Sequence, residues 1–158
     1  MPPTTLWDAG HVNRWHTNEC QALRNSHDTT HQHGARVAIL LRHMWPDVPA
    51  DVLFYAVTHD AAEQALGDMP ALAKDENPLI AELQRQLEEQ WLDRYGVPNI
   101  DAEWKARVKL CDKLDAILWA RSVDPSLMQR DDWKAAMQSA LSMADFLGKA
   151  HTVKDMLK

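Results

Sequence analysis

Apolar residues recur at three- and four-residue steps along nearly the whole chain, and no stretch alternates apolar and polar positions long enough to suggest a strand. The pattern predicts an all-α protein. Val37, Leu40, Leu41 and Met44 form one stripe, with Thr29 or Thr30 as the N-cap and Pro46 ending the run. Pro49 and Asp51 open a second helix, expected to continue to Leu66-Gly67, where glycine and the nearby Pro70 stop it. Leu79, Leu83, Leu87 and Trp91 step by four through a polar segment from Pro78 to Tyr95, closed by Gly96-Val97-Pro98. A helix from about Asp101 to Ser122 aligns Trp104, Val108, Cys111, Asp112, Asp115 and Trp119. The last, from about Asp131 to Lys149, has Trp133, Met137, Ala140, Leu141, Ala144 and Leu147 as its inner stripe. Only the first and last few residues read as loose.

Ionisable residues interrupt these stripes. His33 lies on the first, while in the second helix Leu53, Ala56, Val57 and Asp60 make one row and Val52, Ala56, His59 and Glu63 its neighbour. Asp112 and Asp115 share a face further on. Taken singly, each would be a satisfied core histidine or a salt-bridged acid. Taken together, carboxylates on apolar faces need counter-charge, because an unpaired buried charge is costly. One divalent metal would supply it. Two imidazoles and two carboxylates from three segments suit Mn, Fe, Co, Ni or Zn better than Ca or Mg, which prefer all-oxygen surroundings. Spacing alone does not choose between Asp112 and Asp115. Glu63, at i+4 from His59 and i+3 from Asp60, falls over the same patch of a helix. His27 and His31 would make a second zinc-type pair only if both were helical; at or before a helix start, they read as solvated or phosphate-facing.

Composition narrows the class. A chain of 158 residues with 46% hydrophobic content fits one domain, residues 1–158. A net charge of −6 argues against a binder of nucleic-acid polymers or a basic membrane-surface protein. The N-terminal segment lacks signal-peptide character and no run approaches the ~18 apolar residues of a membrane span, so a soluble, cytoplasmic protein is expected. Cys20 and Cys111 lie far apart without zinc-type spacing and read as reduced thiols. Seven tryptophans, several on apolar stripes, suit a helix-mediated homo-oligomer, a dimer or an assembly of dimers.

The order His33, His59-Asp60, Asp112 resembles the H…HD…D signature of the HD-domain metal-dependent phosphohydrolases. Within them the chain is similar to bacterial 5′-deoxynucleotidases of the YfbR type and to small phage dATP triphosphohydrolases of the DatZ type. The similar stretches are Asn13-Arg14-Trp15, Gln32-His33-Gly34 with Val37-Ala38, His59-Asp60-Ala61-Ala62-Glu63, Gly67-Asp68-Met69-Pro70, Lys74 and Val108 to Asp112. They span about the first three quarters of the chain.

The resemblance implies an HD-domain helical bundle of about six helices. It makes His33, His59, Asp60 and Asp112 the metal ligands, for Co, Mn or Zn, and Asp115 a support behind them. Glu63 would orient the nucleophilic water, and Asp68 would protonate the leaving 5′-oxygen. Arg14 would bind phosphate, Trp15 would pack on the sugar or base and exclude a 2′-hydroxyl, and Lys74 would contact phosphate. The implied partner is a small deoxynucleotide, mono- or triphosphate, with dATP favoured. Arg24, Lys74 and Lys109 could form the cation cluster that a triphosphate needs. Gln32 stands where the family has an acid and Gly34 where it has Ser or Thr, which bears on substrate preference. Competing expectations are a hydrolase of a nucleotide second messenger and a catalytically silent nucleotide-binding module.

Overall fold

The computed structural model describes residues 3–67 and 77–158 of the chain. Most of the helical periodicity becomes helix in these residues, and the extended pairing among them is a single bridge between Asn13 and Thr29. The elements are α1 (Pro3–Ala9), α2 (Gln21–Arg24), α3 (Thr30–Met44), α4 (Ala50–Thr58), α5 (Glu63–Leu66), α6 (Pro78–Arg94), α7 (Ala102–Val123), a 3-10 turn (Pro125–Gln129), α8 (Asp131–Phe146) and α9 (Ala150–Leu157). Six of the helices described have eight residues or more.

Local chemistry sets the starts. Thr29 caps α3 in a capping box, its side chain accepting from the Gln32 backbone while the Gln32 side chain accepts from the Thr29 N–H. Gln32 is thus occupied with the helix start. Asp101 caps α7 by accepting from Trp104 N–H at 2.8 Å.

The packing puts α7 at the centre. It lies against α3 and α8, while α3 also packs on α4 and α8 on α9. Val37 and Leu41 of α3, Ala56 of α4, Leu110, Leu114 and Ile117 of α7, and Ala140 and Ala144 of α8 form one core. Among the described residues no helix is long and apolar enough to cross a membrane. Cys111 is buried in this core and Cys20 is half-buried at the start of α2; both are free thiols.

Three elements differ from the periodicity. The second helix does not continue to Leu66: α4 ends at Thr58, and the backbone tightens into i→i+3 bonds, Ala61 N–H to Thr58 C=O and Glu63 N–H to Asp60 C=O, before α5. Two side chains accompany the break, Thr58 Oγ1 donating to the Phe54 carbonyl at 2.7 Å and His59 Nδ1 to the Ala56 carbonyl at 2.8 Å. The end of the chain is not loose. Gly148, at φ +68°, turns α8 into α9, and Val153 is then fully buried against the core. At the other end, the segment around α1 buries Ala9, with Leu6 packed in the same small cluster as Ala61, Leu92 and Val97. In α9, Val153, Met156 and Leu157 fall at i, i+3 and i+4 and pack on the same core.

Candidate metal centre

Three elements meet at one point. His33 projects from the first turns of α3 and is fully buried; His59 and Asp60 leave the end of α4; Asp112 and Asp115 come from the middle of α7. Gly34 makes the meeting of α3 and α4 possible. A Cβ at that position would lie 2.2 Å from the Val57 carbonyl oxygen, so the two backbones touch beside His33 and two residues before His59. Any side chain in place of this glycine would hold the ligands apart.

One candidate ligand atom from each of His33, His59 and Asp60 lies within 4.8 Å of the others. The carboxylate oxygens of Asp60 approach both rings, at 3.5 Å from His33 Nε2 and 3.3 Å from His59 Nε2. Asp112 stands at the edge of this group. Its Oδ1 is 3.2 Å from His33 Nε2, while its Oδ2 accepts from Lys109 Nζ at 2.8 Å. The two rings face each other with centroids 5.3 Å apart.

Each imidazole is oriented through its far nitrogen. His33 Nδ1 donates to Asp115 at 2.6 Å and His59 Nδ1 to the Ala56 carbonyl at 2.8 Å. Both Nε2 atoms therefore point inward, and both are buried without a hydrogen-bond partner of good geometry. Orphaned nitrogens of this kind are costly unless something takes them. A divalent metal fits this donor set, two nitrogens with their tautomers fixed from behind and flanking carboxylates.

Behind His33 lies a network that the sequence pattern did not reveal. Arg36, one turn along α3, donates to Asp115 through Nε at 2.7 Å and through Nη2 at 3.0 Å, and its Nη2 also reaches Asp28 at 2.8 Å. Asp28 is completely buried. It also accepts from Arg14 at 3.2 Å and from the Trp15 indole N–H at 3.1 Å. The Trp119 ring lies 4.3 Å beneath the Arg36 guanidinium. Asp28 precedes a helix, outside any periodic stripe, so only its burial reveals its role; Arg36 carried a weak signal at i+3 from His33.

The electrostatics follow from this crowding. Burial pulls the His33 imidazole down, but the close Asp112 and the hydrogen bond to Asp115 outweigh it and push its pKa up to about 9. Burial alone would raise Asp112, yet the His33 ring and the Lys109 charge hold it well below the usual carboxylate range. Asp115 is lowered likewise, with burial opposed by His33 and Arg36. Without metal, His33 is thus an imidazolium among acids, and its inward proton occupies the place a metal would take.

This has a measurable consequence. The His33 pKa is higher folded than its ordinary value of 6.5, so its contribution to stability is complete below about pH 6.5 and is lost as pH rises through about 9. The lowered acids contribute oppositely, their effect being present above the ordinary carboxylate range and lost as pH falls through their lowered values. In EDTA, the melting temperature is expected to fall between pH 6.5 and 9, and His33→Gln to flatten that slope. An unchanged slope in the variant would assign it to other groups.

Arg14 and Trp15 come together on Asp28, Arg14 Nη1 lying 3.9 Å from Asp115, and Trp15 holds φ +65° with its ring against Trp133. Glu63 begins α5, three residues past Asp60. Asp68 and Lys74, with Met69 and Pro70, lie outside the described residues. Arg24 donates to the carbonyls of Asn18 and Glu19, and Lys109 is joined to Asp112, so neither of these cations stands as a separate phosphate group. His27 has φ +52° while His31 lies within α3, so the two do not share a helix face. His31 instead packs its ring against Gly10. No family model, curated protein or solved structure matches this chain.

Proposed function

We propose that the protein is a metal-dependent phosphohydrolase of the HD-domain kind that removes the 5′-phosphate or triphosphate of a 2′-deoxynucleotide, with dATP the first substrate to test. One observation carries this reading: two buried imidazoles, each oriented through Nδ1, aim Nε2 atoms that make no hydrogen bond of good geometry at a space flanked by the carboxylates of Asp60 and Asp112. The order of those residues along the chain supports it.

His33, His59, Asp60 and Asp112 would hold the metal, of which Mn, Co and Zn suit the mixed donors. When bound, it supplies Lewis acidity toward a phosphate oxygen and makes a nearby water more acidic. Glu63 takes the proton of the attacking water as its oxygen bonds to the α-phosphorus. The bond from phosphorus to the 5′-oxygen breaks, and Asp68 gives that oxygen a proton. Arg14 holds the phosphate in line, since Asp28 occupies only part of a guanidinium with five N–H donors, and Lys74 assists. Trp15, fixed by its indole N–H, presents its ring to the sugar or base.

The test is one purified preparation, stripped and reloaded with Mn, Co, Zn or Mg, offered paired ribo- and deoxynucleoside mono- and triphosphates with products identified. Metal-dependent release of a deoxynucleoside is expected, with the preference for the deoxy sugar reduced in Trp15→Ala. Full turnover after stripping would overturn the mechanism. Saturable nucleotide binding without turnover would make the protein a silent module instead.

A further inference from the structure

We infer that Arg36, whose side-chain hydrogen bonds go to Asp115 and Asp28, is a positioning residue for the metal centre and that Asp28 joins it to the Arg14-Trp15 segment. The inference rests on the reading that His33 ligates a metal. His33 can offer Nε2 inward only while Nδ1–H has an acceptor on its far side, and that acceptor is Asp115 at 2.6 Å. Asp115 in turn has two side-chain oxygens to place. Arg36 grips both, Nε on Oδ1 and Nη2 on Oδ2, a bidentate fork that fixes the plane of the carboxylate. The guanidinium is itself held flat on Trp119 and tied through Nη2 to Asp28.

Asp28 makes the arrangement more than a local brace. It is fully buried, and its two oxygens take Arg36 on one side and Arg14 with the Trp15 indole on the other. Its backbone carbonyl also accepts the Arg14 N–H at 2.8 Å. The segment expected to read the nucleotide and the histidine expected to hold the metal are therefore anchored to one polar unit. A lysine at position 36 keeps the charge but lacks the planar fork, so it satisfies one carboxylate at a time.

The experiment measures Mn2+ binding by electron paramagnetic resonance, without substrate, for the wild type, Arg36→Met and Arg36→Lys. Arg36→Met is expected to weaken Mn2+ by about 10- to 100-fold, as loss of an outer partner of a ligand does. Arg36→Lys should recover part of that loss, and the visible spectrum of the Co2+-loaded protein should change in Arg36→Met. Circular dichroism verifies that each variant is folded. If Arg36→Met does not fold, Arg36→Met combined with Asp28→Asn removes the buried charge that Arg36 no longer balances on Asp28 Oδ1, and the same loss is expected. A folded variant with wild-type Mn2+ affinity and an unaltered Co2+ spectrum overturns the inference. Failure of the wild type to bind any of the metals overturns the metal centre and this inference together. A wild type that binds Mn2+ but hydrolyses no nucleotide defeats the proposed reaction alone, because the affinity readout still decides the role of Arg36.

Discussion

His59→Ala and Asp60→Ala are expected to eliminate metal retention and deoxynucleotide hydrolysis together, while leaving the metal-free protein folded. In the metal-free protein, His59 makes one hydrogen bond, to the Ala56 carbonyl, and its Nε2 makes none. Truncation then removes an interaction worth about 1 kcal/mol, and in a chain of this size about 2–4 °C of melting temperature. The effect on metal should be much larger. Loss of a partner behind a ligand already weakens binding by about 10- to 100-fold, so loss of the ligand itself should exceed that.

Thermal melts with and without metal make the contrast visible. Metal at a hundred times its Kd stabilises the wild type by about 2.7 kcal/mol, and this increment should vanish in both variants. If His59 and Asp60 were merely core residues, the variants would lose much stability in EDTA and the wild type would gain none on adding metal. That result would sink the metal centre.

Gly34→Ala should be the most damaging single-methyl addition near the site. A Cβ there would lie 2.2 Å from the Val57 carbonyl oxygen and 2.8 Å from its carbon, and both are backbone atoms of α4 that cannot rotate away. Helix propensity acts the other way, favouring Ala over Gly by about 1 kcal/mol in a helix interior. Overpacking normally costs about 1–3 kcal/mol and sometimes more, and a contact this short against backbone belongs at the upper end. The expected net loss is about 2 kcal/mol, read as a fall of about 4–8 °C in melting temperature. Since α3 and α4 must separate to admit the methyl group, His33 moves away from His59 and Asp60, and Mn2+ affinity should fall as well. A variant that melts higher than the wild type, with unchanged affinity, would show that the helices do not touch at this point.

Periodicity located most of the helical framework, because an amphipathic helix declares which of its faces is buried. The Thr29 cap and the helices beginning near Pro78, Asp101 and Asp131 all follow from local residues. Where one local signal competes with another, the expected helix is longer than the observed one. The apolar phase of Ala56, Val57 and Asp60 suggested unbroken helix to Leu66, but the tightened turn after Thr58 ends α4 first. The last expected helix, from about Asp131 to Lys149, is found as α8, Asp131–Phe146, and α9 after Gly148 is an additional helix that packs Val153, Met156 and Leu157 on the core.

The candidate site was legible for a different reason. Acids and histidines on apolar stripes are anomalous without a partner, so His33, His59, Asp60, Asp112 and Asp115 could be singled out before any contact was known. By itself the amino-acid sequence determined the all-helical class and the residues with a reason to be together, since both depend on the spacing of side-chain types along one helix. Only the tertiary structure decided the rest. It set Asp112 against the inward nitrogen of His33 and Asp115 against the outward one, a distinction that the spacing of two acids on one helix face does not carry and that only the family resemblance had implied. It also brought Asp28 and Arg36 behind the site and Gly34 against Val57. These depend on distances between helices, and the period of a single helix contains no such distance.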